Sequence, residues 1–340
     1  MNKKKFPIKK LIATVLLLVI AAIAVFAVIY AVNKYEEEKY LETFGQSAME
    51  VGGHTVTFDL YRYFYLNYRD ELIYDYTADG KTDTKALDRA IRERIEDAVT
   101  GLYGSVSLAA DYGMTVSDKD VKAAANEYVD AVKEYYKTDA AYKKELENNH
   151  MTEKVFEFLM SIDSLEDKLF TVLVSDGGKI EDNDEKLMQK FLTEDFVRAK
   201  QIFIENDEGE DVEANRALAN EALAAYRDGE SLNTLIGRYS EDFSMPADGY
   251  YFTYLEMIDE FERAAFALDD GEVSEVVESS EGFHIIFRLP KDDAYLQANF
   301  SDLKAQYQTS AFYKLIDERS AALRASETEF ARGLSYEEIH

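Results

Sequence analysis

The sequence predicts an α+β fold. It should have an N-terminal transmembrane helix, an all-helical domain, and a module of order β-α-α(α)-β-α-β-β inserted into that domain, with a C-terminal helix returning to it. Three observations carry this. The run LIATVLLLVIAAIAVFAVIYAV, residues 11–32, holds no charge. Apolar positions recur at helical spacing over 84–110, 117–137 and 139–174, and again over 294–325. Between those stretches the period drops to two, in RAKQIFI (198–204) and in EGFHIIFRL (281–289).

Composition narrows the function. The 340 residues are 47% apolar, enough for two ordinary domains. With 67 acidic against 38 basic residues the net charge is −29, which repels phosphate backbones and anionic headgroups and argues against nucleic acid or peripheral membrane binding. The absence of cysteine excludes disulfides, thiolate metal sites, a cysteine nucleophile and a lipidated N-terminal cysteine. No Gly-x-Ser-x-Gly, His-Glu-x-x-His or glycine-rich phosphate loop occurs, so a hydrolase, metal or nucleotide site is disfavoured. Asp182 to Glu185 hint at calcium without a full loop motif. No metal and no cofactor are expected.

The first element gives the address. As a helix, 11–32 reaches about 33 Å, enough for a hydrocarbon core of about 30 Å. Lys3, Lys4, Lys5, Lys9 and Lys10 precede it and YEEEKYLE follows. The positive-inside rule then makes 1–10 a cytoplasmic tail, 11–32 an uncleaved single-pass anchor in the cell membrane, and the bulk of the chain extracytoplasmic.

The helical domain spans 33–190. It opens with a Gly-Gly turn and a short β-type stretch, after which Thr57 could cap a helix with Tyr61, Phe64, Tyr65 and Tyr68 on one face. That face either docks on neighbouring helices or forms an aromatic surface for unfolded chains. Gly113 ends one helix and Ser117 starts another, and the polar stretch 175–186 joins two modules. The second module covers 195–291. A strand at 198–204 leads to helices over VEANRALANEALAAYRDG, stopped by Gly229, and SLNTLIGRYS. Next come a strand-like GYYFTYL (249–255), the helix MIDEFERAAFAL (257–268), a short strand EVSEVV (272–277) and EGFHIIFRL. Residues 292–328 form the returning helix, too short for a core of its own, and 329–340 a tail.

Several stretches of the module resemble parvulin-type peptidyl-prolyl isomerases: AKQIFI, AYRDGESLNTLIGRYSED and EMIDEFERAAFALDDGEVSEVVESSEGFHIIFRL. EVGGHTVTFDLYRYF, DYGMTVSDKDV and the returning helix are similar to the helical chaperone domain of exported foldases of the PrsA and SurA type. The resemblance implies catalysis of X–Pro cis-trans isomerisation on unfolded or extended polypeptide clients, with no covalent intermediate. Carried over position by position, it implies that Met257 and Phe261 cradle the proline ring with Phe252 beside them, and that Asp242 and His284 belong to a polar floor. Where the family has a first histidine, this chain has Gln201, and the usual Gly-Gly approach to the second strand is reduced to Gly249 in PADGYYF. Activity, reduced activity, or a non-catalytic peptide-binding holdase follow as alternatives, with an anchored scaffold as a third; a homodimer stays open. Taken alone, each of these site residues reads as an ordinary core or capping residue.

Overall fold

The computed structural model describes residues 25, 28, 30–32, 34, 35, 37–78, 80–175, 177–193, 195–206 and 211–339. The tail expected at 1–10 and most of the anchor expected at 11–32 lie outside these. Among the described residues no helix is long and apolar enough to cross a membrane. The chain forms two compact units: Met1–Tyr103 with Lys122–Ile162 and Ala322–His340, and Gly104–Val121 with Asp163–Ala321.

In the first unit, helix α1 (37–44) precedes the hairpin of β1 (Ser47–Val51) and β2 (His54–Thr57). Its turn is Gly52-Gly53, both at positive φ, a conformation that side chains with a Cβ rarely adopt. Helix α2 (Phe58–Leu72) buries Tyr61 and Tyr65 completely, while Phe64 and Tyr68 stack on its flank. The docked-face reading therefore holds for the first pair. A two-stranded ribbon, β3 (Thr77–Ala78) with β4 (Lys81–Thr82), leads into α3 (Thr84–Asp111). Helices α4 (Lys119–Tyr136), α5 (Asp139–Asn148) and α6 (Glu153–Val174) follow; α3 from Gly104, the start of α4 to Val121, and α6 from Asp163 are counted in the second unit.

Two expectations about this region need correcting. The domain is not all helical, because β9 (Ala325–Glu327) pairs with β1 to complete a sheet of order β2-β1-β9. Nor is 329–340 a free tail: α13 (Glu329–Gly333) buries Ala331, and Ile339 is buried beyond it. Arg92 holds this end of the chain. Its guanidinium bonds Asp88 and Glu327, each at 2.9 Å, and the carbonyls of Ala331 and Leu334 at 3.2 and 2.9 Å. Tyr61 and Tyr65 donate to the same two carboxylates. Such a network keeps half-buried charges paired and compensates for their lost water.

The second unit has a helical core. Phe312 and Ile316 of α12 (Phe300–Ser320) pack among Leu108, Leu165, Leu169 and Leu173. Helices α7 (Asp184–Thr193) and α11 (Asp293–Ala298) close over Phe196 through Leu187, Phe191 and Leu296. Asp182 and Asp184, part of the stretch that hinted at calcium, both pair with Lys304 at 2.8 Å.

The four-stranded antiparallel sheet of this unit runs in the order β6 (Tyr250–Phe252), β5 (Val197–Glu205), β8 (Gly282–Leu289), β7 (Val277–Glu278). Strand β5 pairs with β8 from Arg198↔Leu289 to Glu205↔Gly282. Helices α8 (Val212–Arg227) and α9 (Leu232–Tyr239) cover one face through Leu223 and Leu235, packed on Ile202, Ile285 and Phe287. Their N-caps are legible in the sequence: Asp211 accepts from Glu213 N and Ala214 N, and Ser231 from Thr234 N. Helix α10 (Asp259–Ala267) covers the other face through Phe261 and Ala265. The buried Arg288 donates to the Ala265 carbonyl at 3.0 Å, fixing the carboxyl end of α10.

Three strand limits differ from expectation. GYYFTYL yields only β6 (Tyr250–Phe252), because the chain turns away at Leu255, where φ is +63°. EVSEVV yields only β7 (Val277–Glu278), preceded by an isolated bridge from Val273 to Phe287. The helix over 257–268 starts at Asp259, so Met257 lies before it.

Candidate active site

The site stands on the face of β5 and β8 that α10 covers. Residues two apart on a strand share a face, so Val197, Ala199, Gln201 and Phe203 line up beside His284, Ile286 and Arg288. The register places Phe203 opposite His284 and Gln201 opposite Ile286, making Gln201 and His284 diagonal neighbours. Past Ala199, β5 loses its partner β6, and the segment after α9 takes over its edge. Phe203 N donates to Ser240 Oγ, the Phe203 carbonyl accepts from Glu241 N, and Gln201 N donates to the Met245 sulfur at 3.3 Å. That seal delivers Asp242 to Gln201.

The result is one continuous chain of polar groups. Gln201 Nε2 donates to Asp242 Oδ2 at 2.7 Å, His284 Nδ1 meets Gln201 Oε1 at 2.8 Å, and His284 Nε2 meets Ser279 Oγ at 2.8 Å. Ser279 is held by the tight β7–β8 turn, its N donating to the Gly282 carbonyl at 2.9 Å. A carboxylate only accepts, so Gln201 must turn its amino group toward Asp242 and its oxygen toward His284. His284 Nδ1 therefore carries the hydrogen, and Nε2 accepts from the Ser279 hydroxyl. Every group in the line is satisfied in one direction.

Electrostatics supports that assignment. Burial pushes His284 down to about 4, more than the negative charges of Asp242 and Glu260 can offset, so the ring is neutral at pH 7. Burial works to raise the Asp242 carboxyl, but hydrogen bonds from Gln201, Ser244 and Tyr250 outweigh it and hold the group below the usual carboxylate range. Around the ring the walls are apolar: Phe203 stacks on His284 at 4.7 Å between centroids, and Phe261 meets it edge-on at 5.7 Å.

All six expected site residues are gathered in this region, in two groups. His284, Gln201 and Asp242 are directly linked. Phe252 and Phe261, their rings 5.7 Å apart, are 1% and 2% exposed, so they form the wall behind the polar line. Met257, packed on the same cluster, is only partly buried. Sequence reading missed Ser279, Ser244, Tyr250 and Phe203. The spacing of Ser279 from His284 in SSEGFH was the one available signal; the contacts of the others depend on where 240–250 crosses the sheet.

Two family models match the chain. A model of the PPIC-type PPIase domain matches residues 198–289, and one of the SurA-like N-terminal domain matches residues 3–170. The foldase protein PrsA of Oceanobacillus iheyensis is 26% identical over 207 residues, 60% of this chain and 63% of that one. The foldase protein PrsA of Halalkalibacterium halodurans is 36% identical over 102 residues, 29% of this chain and 28% of that one. The chain thus spans less than two thirds of the length of either relative. Among solved structures, the peptidylprolyl isomerase PrsA from Bacillus anthracis is 20% identical with a TM-score of 0.38, covering 65% of this chain and 95% of that one. The chain thus carries a match to the PPIC-type PPIase domain at 198–289 behind a match to the SurA-like N-terminal domain, and in sequence it is similar to the PrsA foldases.

Proposed function

We propose that the chain is a membrane-anchored, extracytoplasmic foldase that binds unfolded exported polypeptides and isomerises their X–Pro bonds without cofactor or covalent intermediate. The carrying observation is the unbroken line Ser279, His284, Gln201, Asp242 set against an aromatic wall. Rotation about an X–Pro bond faces a barrier of about 18–20 kcal/mol and takes roughly tens to hundreds of seconds unaided. No nucleophile is needed. The catalyst must hold the ring in apolar surroundings, exclude water and favour the twisted amide, in which resonance is lost. In this reading Met257 meets the proline ring with Phe252 and Phe261 behind it, while His284, Gln201 and Asp242 form a fixed, neutral-to-negative floor that needs no reorganisation during rotation.

The full chain in detergent micelles should accelerate isomerisation of an X–Pro peptide, read by NMR exchange or a coupled protease, and Asp242→Ala should reduce that rate at least tenfold. If wild type and Gln201→His both leave the rate at background, catalysis is excluded. Gln201 favours a second reading, a holdase with little turnover, since the floor then lacks an imidazole pair. That reading requires the chain to suppress aggregation of a denatured protein, and it fails if aggregation proceeds unchanged.

The address rests on the 11–32 run and its flanking charges. Because the chain has no cysteine, a single Tyr74→Cys at a position 82% exposed reports topology cleanly. A membrane-impermeant maleimide should label it in intact cells. Labelling only after lysis would place the domain on the other side.

A further inference from the structure

Asp242 is surrounded by donors from three directions. Oδ2 accepts from Gln201 Nε2 at 2.7 Å, and Oδ1 accepts from Ser244 Oγ at 2.9 Å and Ser244 N at 3.2 Å. The Tyr250 hydroxyl lies across both oxygens, at 3.0 Å from Oδ2 and 3.1 Å from Oδ1, and also meets Ser244 Oγ at 3.1 Å. Tyr250 reaches this place because β6 pairs it with Ala199, two residues before Gln201 on the same face of β5. The preceding residue has to be glycine: Gly249 is at φ +84°, and a Cβ there would fall 2.6 Å from the Ala199 carbonyl oxygen.

We infer that Tyr250 is a positioning residue of the candidate active site: by bridging both oxygens of Asp242 it fixes which end of the Gln201 amide faces the carboxylate, and so which nitrogen of His284 bears the hydrogen. The need arises from the glutamine. The two ends of a carboxamide have nearly the same shape, so packing does not choose between them and only the hydrogen-bond partners do. A carboxylate free to rotate or withdraw would let the amide turn over, and His284 would then have to present a lone pair at Nδ1 and a hydrogen at Nε2. With a hydroxyl seated on its edge, the carboxylate stays in the plane that meets Gln201 Nε2.

The test uses the full chain with nitrogen-15 histidine, whose ring shifts distinguish the two neutral tautomers; His284→Gln identifies the His284 signals among the four histidines. Wild type should show one tautomer, hydrogen on Nδ1. Tyr250→Phe keeps the ring and removes the hydroxyl. It should introduce a second, Nε2–H population and lower kcat for an X–Pro peptide by roughly three- to tenfold, with KM changed less than twofold. Asp242→Asn serves as the reference, because a carboxamide can donate to Gln201 as well as accept from it. If Asp242→Asn shifts the tautomer and Tyr250→Phe does not, Tyr250 merely packs and the inference is overturned; if neither shifts it, Asp242 does not set the direction and the inference is overturned as well. The kinetic arm rests on the proposed isomerase activity but the tautomer arm does not: a tautomer shift in a protein without turnover would sink the activity and uphold the role of Tyr250.

Discussion

Truncating Phe261 to alanine is expected to destabilise the isomerase-type module by about 3–5 kcal/mol, the range for removing a buried phenyl ring from a packed core. The ring is 2% exposed, lies against Phe252, and supports the edge of His284. Since the chain has two compact units, one melting temperature does not isolate the effect. Amide hydrogen exchange of β8, whose residues from Gly282 to Arg288 are all buried, does so. Loss of activity in this variant would therefore report unfolding as much as a lost proline contact. Phe261→Leu, closer in volume, should cost less than about 1.5 kcal/mol and leave the module folded for assay. A cost below 1 kcal/mol for Phe261→Ala would mean that the ring belongs to an open cradle and not to the wall.

Acidification is the second large effect. The folded pKa of His284 is pushed down to about 4 while the unfolded chain keeps the ordinary value near 6.5. Between these values the unfolded state takes up a proton that the folded state refuses. The contribution of His284 is thus fully present above about pH 6.5 and is lost progressively as the pH falls through about 4, up to about 3 kcal/mol in total. Carboxylates such as Asp242 add losses at lower pH, so the comparison that isolates the imidazole is wild type against His284→Gln, by hydrogen exchange of β8 from pH 7 to pH 4. Wild type should lose more stability over that interval. Parallel curves would show that burial is not what keeps the ring neutral.

The two effects share a cause. β8 is buried on both faces, so the position of His284 is one where water cannot compensate for a charge and where a missing ring leaves a void. In the sequence, His284 stands in a strand of period two and its neighbours alternate as a buried strand should. What the alternation does not say is that α10 covers the second face.

Much of the fold was written in local chemistry. The caps at Asp211 and Ser231, the stop at Gly229, the long pairing segments of β5 and β8 and the order of elements in the module all follow from signals a few residues long. The misses share a different origin. The sheet of order β2-β1-β9 joins segments nearly 280 residues apart, and Arg92 bonds the carbonyls of Ala331 and Leu334; neither partner is visible from the other in sequence. Met257 and Phe261 are four apart and suggested one helix face, yet Ile258 keeps an extended ψ of 144° and delays α10 to Asp259.

By itself, then, the sequence determined the apolar segment at 11–32, the acidic character, the module of strands and helices, and the residue types present at the candidate site, because composition, periodicity and capping act over a few neighbouring residues. Only the tertiary structure decided that Gln201, 83 positions before His284, points its oxygen at that ring and its amino group at Asp242, and that Tyr250 and Ser279 complete the line at either end. The reason is physical. A hydrogen bond needs a donor and an acceptor within about 3 Å in the right orientation, and that proximity is created when β5, β8 and the 240–250 segment meet across the sheet.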